Sequence, residues 1–174
     1  MSGQQITMNL QINGKILGNG RVLVSDGKYV KKYYFQENMF DEIEKATFIM
    51  KDFHPDLFVN QEKNNIMIVT THFIDSIDCT VVDYRTNIQN YLKLFEWFGD
   101  TITKRDLVPS NILYRKTDNK FFLIDWDNVQ YLKNKDECYN FYKEQLCDHR
   151  WQDTFKMNRK EVEKIFDEEW NNVH

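Results

Sequence analysis

Residues 104–113 read KRDLVPSNIL, and residues 121–127 read FFLIDWD. The first segment sets the carboxylate of Asp106 five positions before the amide of Asn111, and the second ends an apolar run on Asp125. A polar turn separates the two segments, a pattern typical of a β-hairpin. These two segments are the most informative stretch of the sequence.

The residues before this region predict an antiparallel sheet with one helix. Alternation of apolar and polar residues, β-branched runs and an Asp-Gly turn after the second strand indicate strands joined by short turns. Apolar residues at steps of three and four indicate an amphipathic helix that ends before Pro55. The five predicted strands are residues 6–12, 21–24, 29–34, 58–59 and 65–71, with residues 60–64 as the last turn, and the helix spans residues 40–53.

The remaining chain is predicted to be mainly helical. One helix covers residues 81–98 and ends at Gly99, because glycine readily adopts the backbone conformation that terminates a helix. A second helical pattern lies near residues 135–149, and a third opens at Asn158 with Glu161 three positions on, the spacing of a capping box. No repeat or long linker divides the chain.

Composition indicates an ordinary globular domain. The 174 residues are 41% hydrophobic and 15% aromatic, enough to build one core. A formal net charge of -4 argues against a general nucleic-acid binder, since such proteins need clustered basic residues. The three cysteines lack metal-ligand spacing, and no apolar segment reads as a signal peptide or membrane span, which predicts a cytoplasmic protein. A reactive thiol is the alternative to three buried cysteines.

The 104–127 region resembles the catalytic loop of the protein-kinase-like superfamily, His-Arg-Asp-Leu-x-x-x-x-Asn, followed by its Asp-Phe-Gly loop. The resemblance implies a two-lobed α+β fold, with an antiparallel five-stranded sheet plus one helix in the N-terminal lobe and a truncated, mainly helical C-terminal lobe. It places one minimal kinase-like domain over residues 1–174, with lobes at 1–78 and 79–174. The alternative is that these carboxylates only form turns next to a buried strand.

The resemblance also implies the roles of the site residues. Asp106 would orient or accept the proton of an attacking hydroxyl, while Asn111 and Asp125 would hold Mg²⁺, and Asp125 would bridge the metal and the phosphates of ATP. Residues 29–32, Tyr-Val-Lys-Lys, resemble the strand whose lysine grips the α- and β-phosphates. Alignment favours Lys32, with Lys31 as the alternative, because adjacent strand residues face opposite sides.

Two further elements follow from the same resemblance. A helix glutamate normally orients the lysine, and Glu44 is favoured over Glu42 because it lies beside the apolar stripe of the helix. The alternative is that Glu44 is a solvated surface residue. The phosphate-covering turn is assigned to Gly18, Asn19, Gly20 and Val22, although a Gly-Asn-Gly turn joins strands in many unrelated proteins. Residues 54–57, His-Pro-Asp-Leu, resemble a structural stretch of protein kinases.

The sequence departs from the pattern of protein kinases at two positions. Lys104 replaces the usual histidine, and Asp127 replaces the glycine of Asp-Phe-Gly, a change also found in aminoglycoside and choline phosphotransferases. Arg105 could hold Asp127 or a substrate phosphate. Little chain follows Asp127, which resembles minimal relatives such as the Bud32 and Rio families and lipopolysaccharide kinases.

The leading hypothesis is an ATP- and Mg²⁺-dependent phosphotransferase that moves the γ-phosphoryl group to a hydroxyl. The reduced C-terminal region favours a macromolecular acceptor, a protein or glycan surface, over an enclosed small molecule. A pseudokinase-like binding module without turnover is the alternative. Nucleotidyl transfer, which would release pyrophosphate, is a third possibility.

Overall fold

A computed structural model describes residues 21–173, with side chains from residue 25 onward. Within that part, a four-stranded antiparallel sheet has the order β1-β2-β4-β3. Its strands are β1 (Arg21–Ser25), β2 (Tyr29–Tyr34), β3 (Phe58–Lys63) and β4 (Met67–His72). The predicted strand at residues 6–12 lies outside the described residues. Four strands of the predicted sheet are therefore present as an antiparallel sheet.

Local chemistry explains the turn between β1 and β2. Gly27 has a φ of 84°, a left-handed conformation that glycine adopts without strain. The carboxylate of Asp26 accepts hydrogen bonds from the backbone N–H groups of Lys28 at 2.9 Å and Tyr29 at 2.7 Å. The Asp-Gly pair therefore fixes the hairpin as predicted.

The hairpin of β3 and β4 differs from the prediction. Residues 60–63 pair with β4, whereas the sequence pattern assigned them to the turn. The prediction was wrong because β3 is an edge strand of this sheet, and edge strands tolerate polar side chains. The polar residues that were assigned to the turn are Asn60, Gln61, Glu62 and Lys63. The connection between the two strands is shorter than predicted.

Helix α1 (Phe40–Phe53) has the predicted bounds. It buries one stripe, and its buried residues are Phe40, Ile43, Ala46, Thr47, Ile49 and Met50. Their burial excludes water from apolar area, which contributes roughly 1.5–3 kcal/mol for each large apolar side chain. The helix ends at Phe53 with His54 as its C-cap, and residues before a proline such as Pro55 are disfavoured in the helical conformation.

The second half of the described chain combines short strands with helices. The elements are β5 (Ser76–Ile77), α2 (Tyr84–Phe98), β6 (Ile102–Lys104), β7 (Ile112–Arg115), β8 (Phe121–Leu123), β9 (Val129–Tyr131), α3 (Lys135–Leu146), α4 (His149–Phe155) and α5 (Arg159–Asn172). Strands β5, β7 and β8 form one antiparallel sheet, and β6 pairs with β9.

Capping side chains decide where these helices begin. Helix α2 starts at Tyr84 and not at residue 81, because the Asp83 carboxylate accepts the backbone N–H of Thr86 at 2.7 Å. The helix predicted near residues 135–149 is α3 and ends at Leu146, and a separate helix, α4, begins at His149, where Asp148 caps it in the same way. The capping box of Asn158 and Glu161 at the start of α5 is confirmed.

Aromatic side chains fill the core between these helices. Tyr91 of α2, Tyr142 of α3 and Trp151 of α4 are each fully buried. The three cysteines are also buried and free, and burial raises the pKa of the Cys79 thiol to about 11. They therefore serve as small core residues. None of the helices between residues 21 and 173 has both the length and the apolar character needed to span a bilayer.

Candidate active site

A cleft of about 440 Å³ opens between the four-stranded sheet and the β7–β8 hairpin. Three polar side chains line one part of the cleft: Lys32, Asn111 and Asp125. The inner wall is apolar and includes Val30, Val69, Leu113 and Ile124. The segment that connects β4 to β5 lies at the side of the cleft. A cleft with one apolar wall and a few converging polar groups suits a flat base that carries a charged tail.

Strand alternation places Lys32 in this cleft. Val30, Lys32 and Tyr34 share one face of β2, and all three line the cleft. Lys31, on the opposite face, is exposed. The structure therefore assigns the cleft position to Lys32 and not to Lys31.

Asp125 meets Lys32 from the other side of the cleft. The Lys32 ammonium donates a hydrogen bond to a carboxylate oxygen of Asp125, and their side chains are 19% and 31% exposed. Asp125 has a φ of 62°, which is uncommon for a residue with a side chain and costs of order 1 kcal/mol or more. With this backbone conformation the Asp125 side chain lines the cleft.

Asn111 links the two loops of the site. It ends a short 3₁₀ turn that Pro109 begins, and its side-chain amide donates to the carbonyl oxygen of Asp106 at 3.3 Å. Its backbone carbonyl accepts the N–H of Ile124, the residue before Asp125, at 2.8 Å. Asn111 therefore fixes the Asp106 loop relative to Asp125.

The oxygen donors of this site fit Mg²⁺. Asp125 and Asn111 both line the cleft, and Mg²⁺ in nucleotide enzymes commonly uses one or two protein oxygens together with phosphate oxygens and water. Residues 21–173 contain no group of three His, Cys, Asp or Glu side chains that could hold a metal ion by themselves.

Three successive carbonyl groups hold the Asp106 loop in place. The ammonium of Lys104 donates to the Asp106 carbonyl at 2.7 Å. The indole N–H of Trp151 donates to the Leu107 carbonyl at 2.9 Å, and the hydroxyl of Tyr91 donates to the Val108 carbonyl at 2.7 Å. The three donors are buried, so the loop backbone is fixed while the Asp106 side chain stays exposed.

Lys104 is an unusual residue to find in this position, because only 1% of it is exposed. Burial lowers the pKa of its ammonium to about 8, while the nearby charges of Asp125 and Asp106 act in the opposite direction. Its backbone pairs with Val129 of β9, which brings the loops on either side of the hairpin together. Lys104 thus supports the loop through a side-chain hydrogen bond where protein kinases have histidine.

His54 connects α1 to the strand that precedes Asp125. Its Nε2 atom accepts the backbone N–H of Leu123 at 3.0 Å, and only 4% of the residue is exposed. Burial is the main reason that the pKa of His54 falls to about 3, with the nearby Lys120 ammonium as a smaller cause. The imidazole is therefore neutral, as an acceptor must be.

The expected partnership between Glu44 and Lys32 is absent from the described structure. Glu44 instead accepts a hydrogen bond from Lys63 at 2.9 Å, on the exposed edge of the sheet. Lys63 lies on β3, which is two strands away from β2, and two strand spacings are about 10 Å. Helical periodicity predicts the face of α1 on which Glu44 lies, but it does not predict which strand packs against that face.

Asp127 has an unexpected set of contacts. Its carboxylate accepts hydrogen bonds from the Lys32 ammonium at 2.7 Å and from the Tyr34 hydroxyl at 2.5 Å. Arg105, which the sequence offered as a partner for Asp127, is exposed. Gly18, Asn19 and Gly20 lie outside the described residues.

Val22 lies on β1, and its side chain is outside the described part.

Three residues that support the site were not predicted from the sequence: Tyr34, Tyr91 and Trp151. Only Tyr34 carried a usable signal, since it lies two positions after Lys32 and must share its face of β2. Tyr91 and Trp151 act from separate helices and carried none.

The order of elements and the cleft are consistent with a protein-kinase-like fold. A structure of WaaP in complex with acyl carrier protein is similar at a TM-score of 0.53 and 11% identity, over 93% of this chain and 88% of that chain. The Cydia pomonella granulovirus kinase PK-1 is similar at a TM-score of 0.46 and 14% identity, over 70% of this chain and 54% of that chain. No family model and no curated protein matches the sequence.

Proposed function

We propose that this protein is an ATP- and Mg²⁺-dependent phosphotransferase that moves the γ-phosphoryl group to a hydroxyl acceptor. The observation that carries the proposal is the convergence of Lys32 and Asp125 in one cleft, beside Asn111 and the fixed loop of Asp106. These are the residue types that phosphoryl transfer requires, a cation for phosphate oxygens, hard metal ligands and a carboxylate near the acceptor. The protein-kinase-like fold supports the same conclusion.

Each residue then has a distinct role. Lys32 would bind phosphate oxygens, and Asp106 would orient the acceptor hydroxyl and receive its proton. Mg²⁺, held by Asn111 and Asp125, would neutralise charge on the phosphate oxygens. Rigid support of the Asp106 loop matters because positioning is the main catalytic contribution in phosphoryl transfer. The apolar wall of the cleft would hold the base.

The acceptor is proposed to belong to a macromolecule. Asp106 is exposed on its loop and is not among the side chains that line the described cleft, so an acceptor could approach it from solvent. The similar WaaP structure contains acyl carrier protein, which shows that a protein of this fold can carry a protein partner. A hydroxyl on a protein or on a glycan surface fits this open geometry.

The test is Mg-ATP binding and ATP turnover by the purified full chain, with identification of the product. We expect binding and the release of ADP, with Asp106→Ala retaining binding but losing turnover by at least about 100-fold. Asp125→Ala should lose both activities. Asp153→Ala changes an exposed aspartate of α4 and should match the unmodified protein.

Each failure of this experiment has a separate meaning. If the unmodified protein does not bind nucleotide, the phosphotransferase proposal is wrong. If it binds nucleotide without turnover, the pseudokinase alternative is correct. Release of pyrophosphate instead of ADP would identify nucleotidyl transfer.

A further inference from the structure

The Asp127 carboxylate is buried in a place where protein kinases have glycine. Only 8% of Asp127 is exposed, and a buried carboxylate is costly unless it is paired and hydrogen-bonded. Lys32 and Tyr34 satisfy it at 2.7 Å and 2.5 Å. Both donors come from one face of β2, so the carboxylate is matched to this strand.

Helix α1 offers Lys32 no carboxylate. Met50 is the residue of α1 that lines the cleft, and Ile43 and Thr47 share its buried face. The hydroxyl of Thr47 is buried and has no hydrogen-bond partner among the described residues. Glu44 is engaged with Lys63 at the edge of the sheet. Among the residues of α1, the side chain that lines the cleft is therefore apolar, that of Met50.

We propose that Asp127 is the positioning residue for Lys32 and takes the role that a helix glutamate has in protein kinases. This inference rests on the proposed phosphotransferase function and names the residue that orients its lysine. Asp125 and Asp127 both contact the Lys32 ammonium. Under the proposed function Asp125 would also hold the metal ion, so Asp127 would be the carboxylate whose role is to keep Lys32 in place.

The arrangement has a structural consequence. Asp127 lies two residues after Asp125, and Tyr34 lies two residues after Lys32, so these contacts come from two short segments of the chain. In protein kinases the lysine depends on the position of a movable helix. In the proposed arrangement the carboxylate that orients Lys32 lies outside α1, on the segment that follows Asp125.

The test is steady-state kinetics of Asp127→Asn, which removes the charge and keeps the shape. We expect the KM for ATP to rise about tenfold with a smaller fall in kcat, because Lys32 acts in binding phosphate. Asp153→Asn makes the same chemical change at an exposed site and should leave both constants unchanged. Glu44→Gln should also leave them unchanged, because Glu44 contacts Lys63.

A double-mutant cycle establishes whether Asp127 acts through Lys32. In the Lys32→Met background, Asp127→Asn should raise the KM for ATP by no more than about twofold, since the residue to be positioned is gone. A full tenfold effect in that background would overturn the inference and identify Asp127 as an independent ligand. Equal kinetics of Asp127→Asn and the unmodified protein would also overturn it.

Tyr34→Phe provides a second variant if Asp127→Asn does not fold, as judged by circular dichroism. It removes only the hydroxyl that donates to Asp127, and we expect a rise of about threefold in the KM for ATP that disappears in the Lys32→Met background. Persistence of that rise without Lys32 contradicts the inference. The absence of nucleotide binding by the unmodified protein refutes the proposed function itself, which is a separate outcome.

Discussion

The neutral, buried His54 should make the stability of this protein fall in mild acid. Its pKa is about 3 in the folded state and 6.5 as the reference value for an exposed histidine. Between these two pH values the unfolded chain binds more protons than the folded chain, so the free energy of unfolding increases with pH. The contribution is fully present above pH 6.5 and is lost as the pH falls from 6.5 toward 3.

The magnitude follows from the difference in pKa. At pH 5 the unfolded histidine is protonated and the folded one is not, which lowers the free energy of unfolding by about 2 kcal/mol relative to pH 7.5. Protonation would also place two N–H donors, those of His54 and Leu123, against each other. Urea unfolding at pH 7.5 and pH 5 measures the difference.

His54→Gln tests the assignment of this effect. Glutamine can supply an acceptor for the Leu123 N–H but does not titrate, so the variant should lose about 2 kcal/mol less between the two pH values. His149→Gln alters an exposed histidine and should retain the pH dependence of the unmodified protein. The reasoning is refuted if His54→Gln and the unmodified protein show the same pH dependence.

Three further substitutions test the supports of the site and the caps. Lys104→Met should lower kcat about tenfold, because the Asp106 carbonyl loses its charged hydrogen-bond donor. The free energy of unfolding should stay nearly unchanged, because the variant no longer has to bury an ammonium group. Equal kcat values for the variant and the unmodified protein would contradict this expectation. Trp151→Phe keeps an aromatic ring but removes the hydrogen-bond donor to the Leu107 carbonyl. Urea unfolding should show a decrease of about 1–3 kcal/mol in the free energy of unfolding. No decrease would mean that solvent satisfies the carbonyl. Asn158→Ala removes the cap of α5, which should cost about 1 kcal/mol of stability without a change in turnover; a fall in turnover would show that α5 reaches the site.

Local patterns in the sequence determined much of the architecture. The bounds of α1, the Asp-Gly hairpin and the cap of α5 are decided by neighbouring residues, and all three follow from the sequence. The 104–127 segment likewise carries its motif within a short stretch. Where polar strand residues or capping aspartates competed with a simpler pattern, as in β3 and before α2, the predicted bounds were wrong.

The partners of the site residues were decided only by the tertiary structure. Lys32 and Asp125 are 93 positions apart, and Trp151 reaches Leu107 across 44 positions. Periodicity shows which face of a strand or helix a residue occupies, but not which distant segment packs against that face. In the folded protein Lys32 contacts Asp127, and Glu44 contacts Lys63. The order of the strands separates Glu44 from Lys32, and no local pattern in the sequence encodes that order.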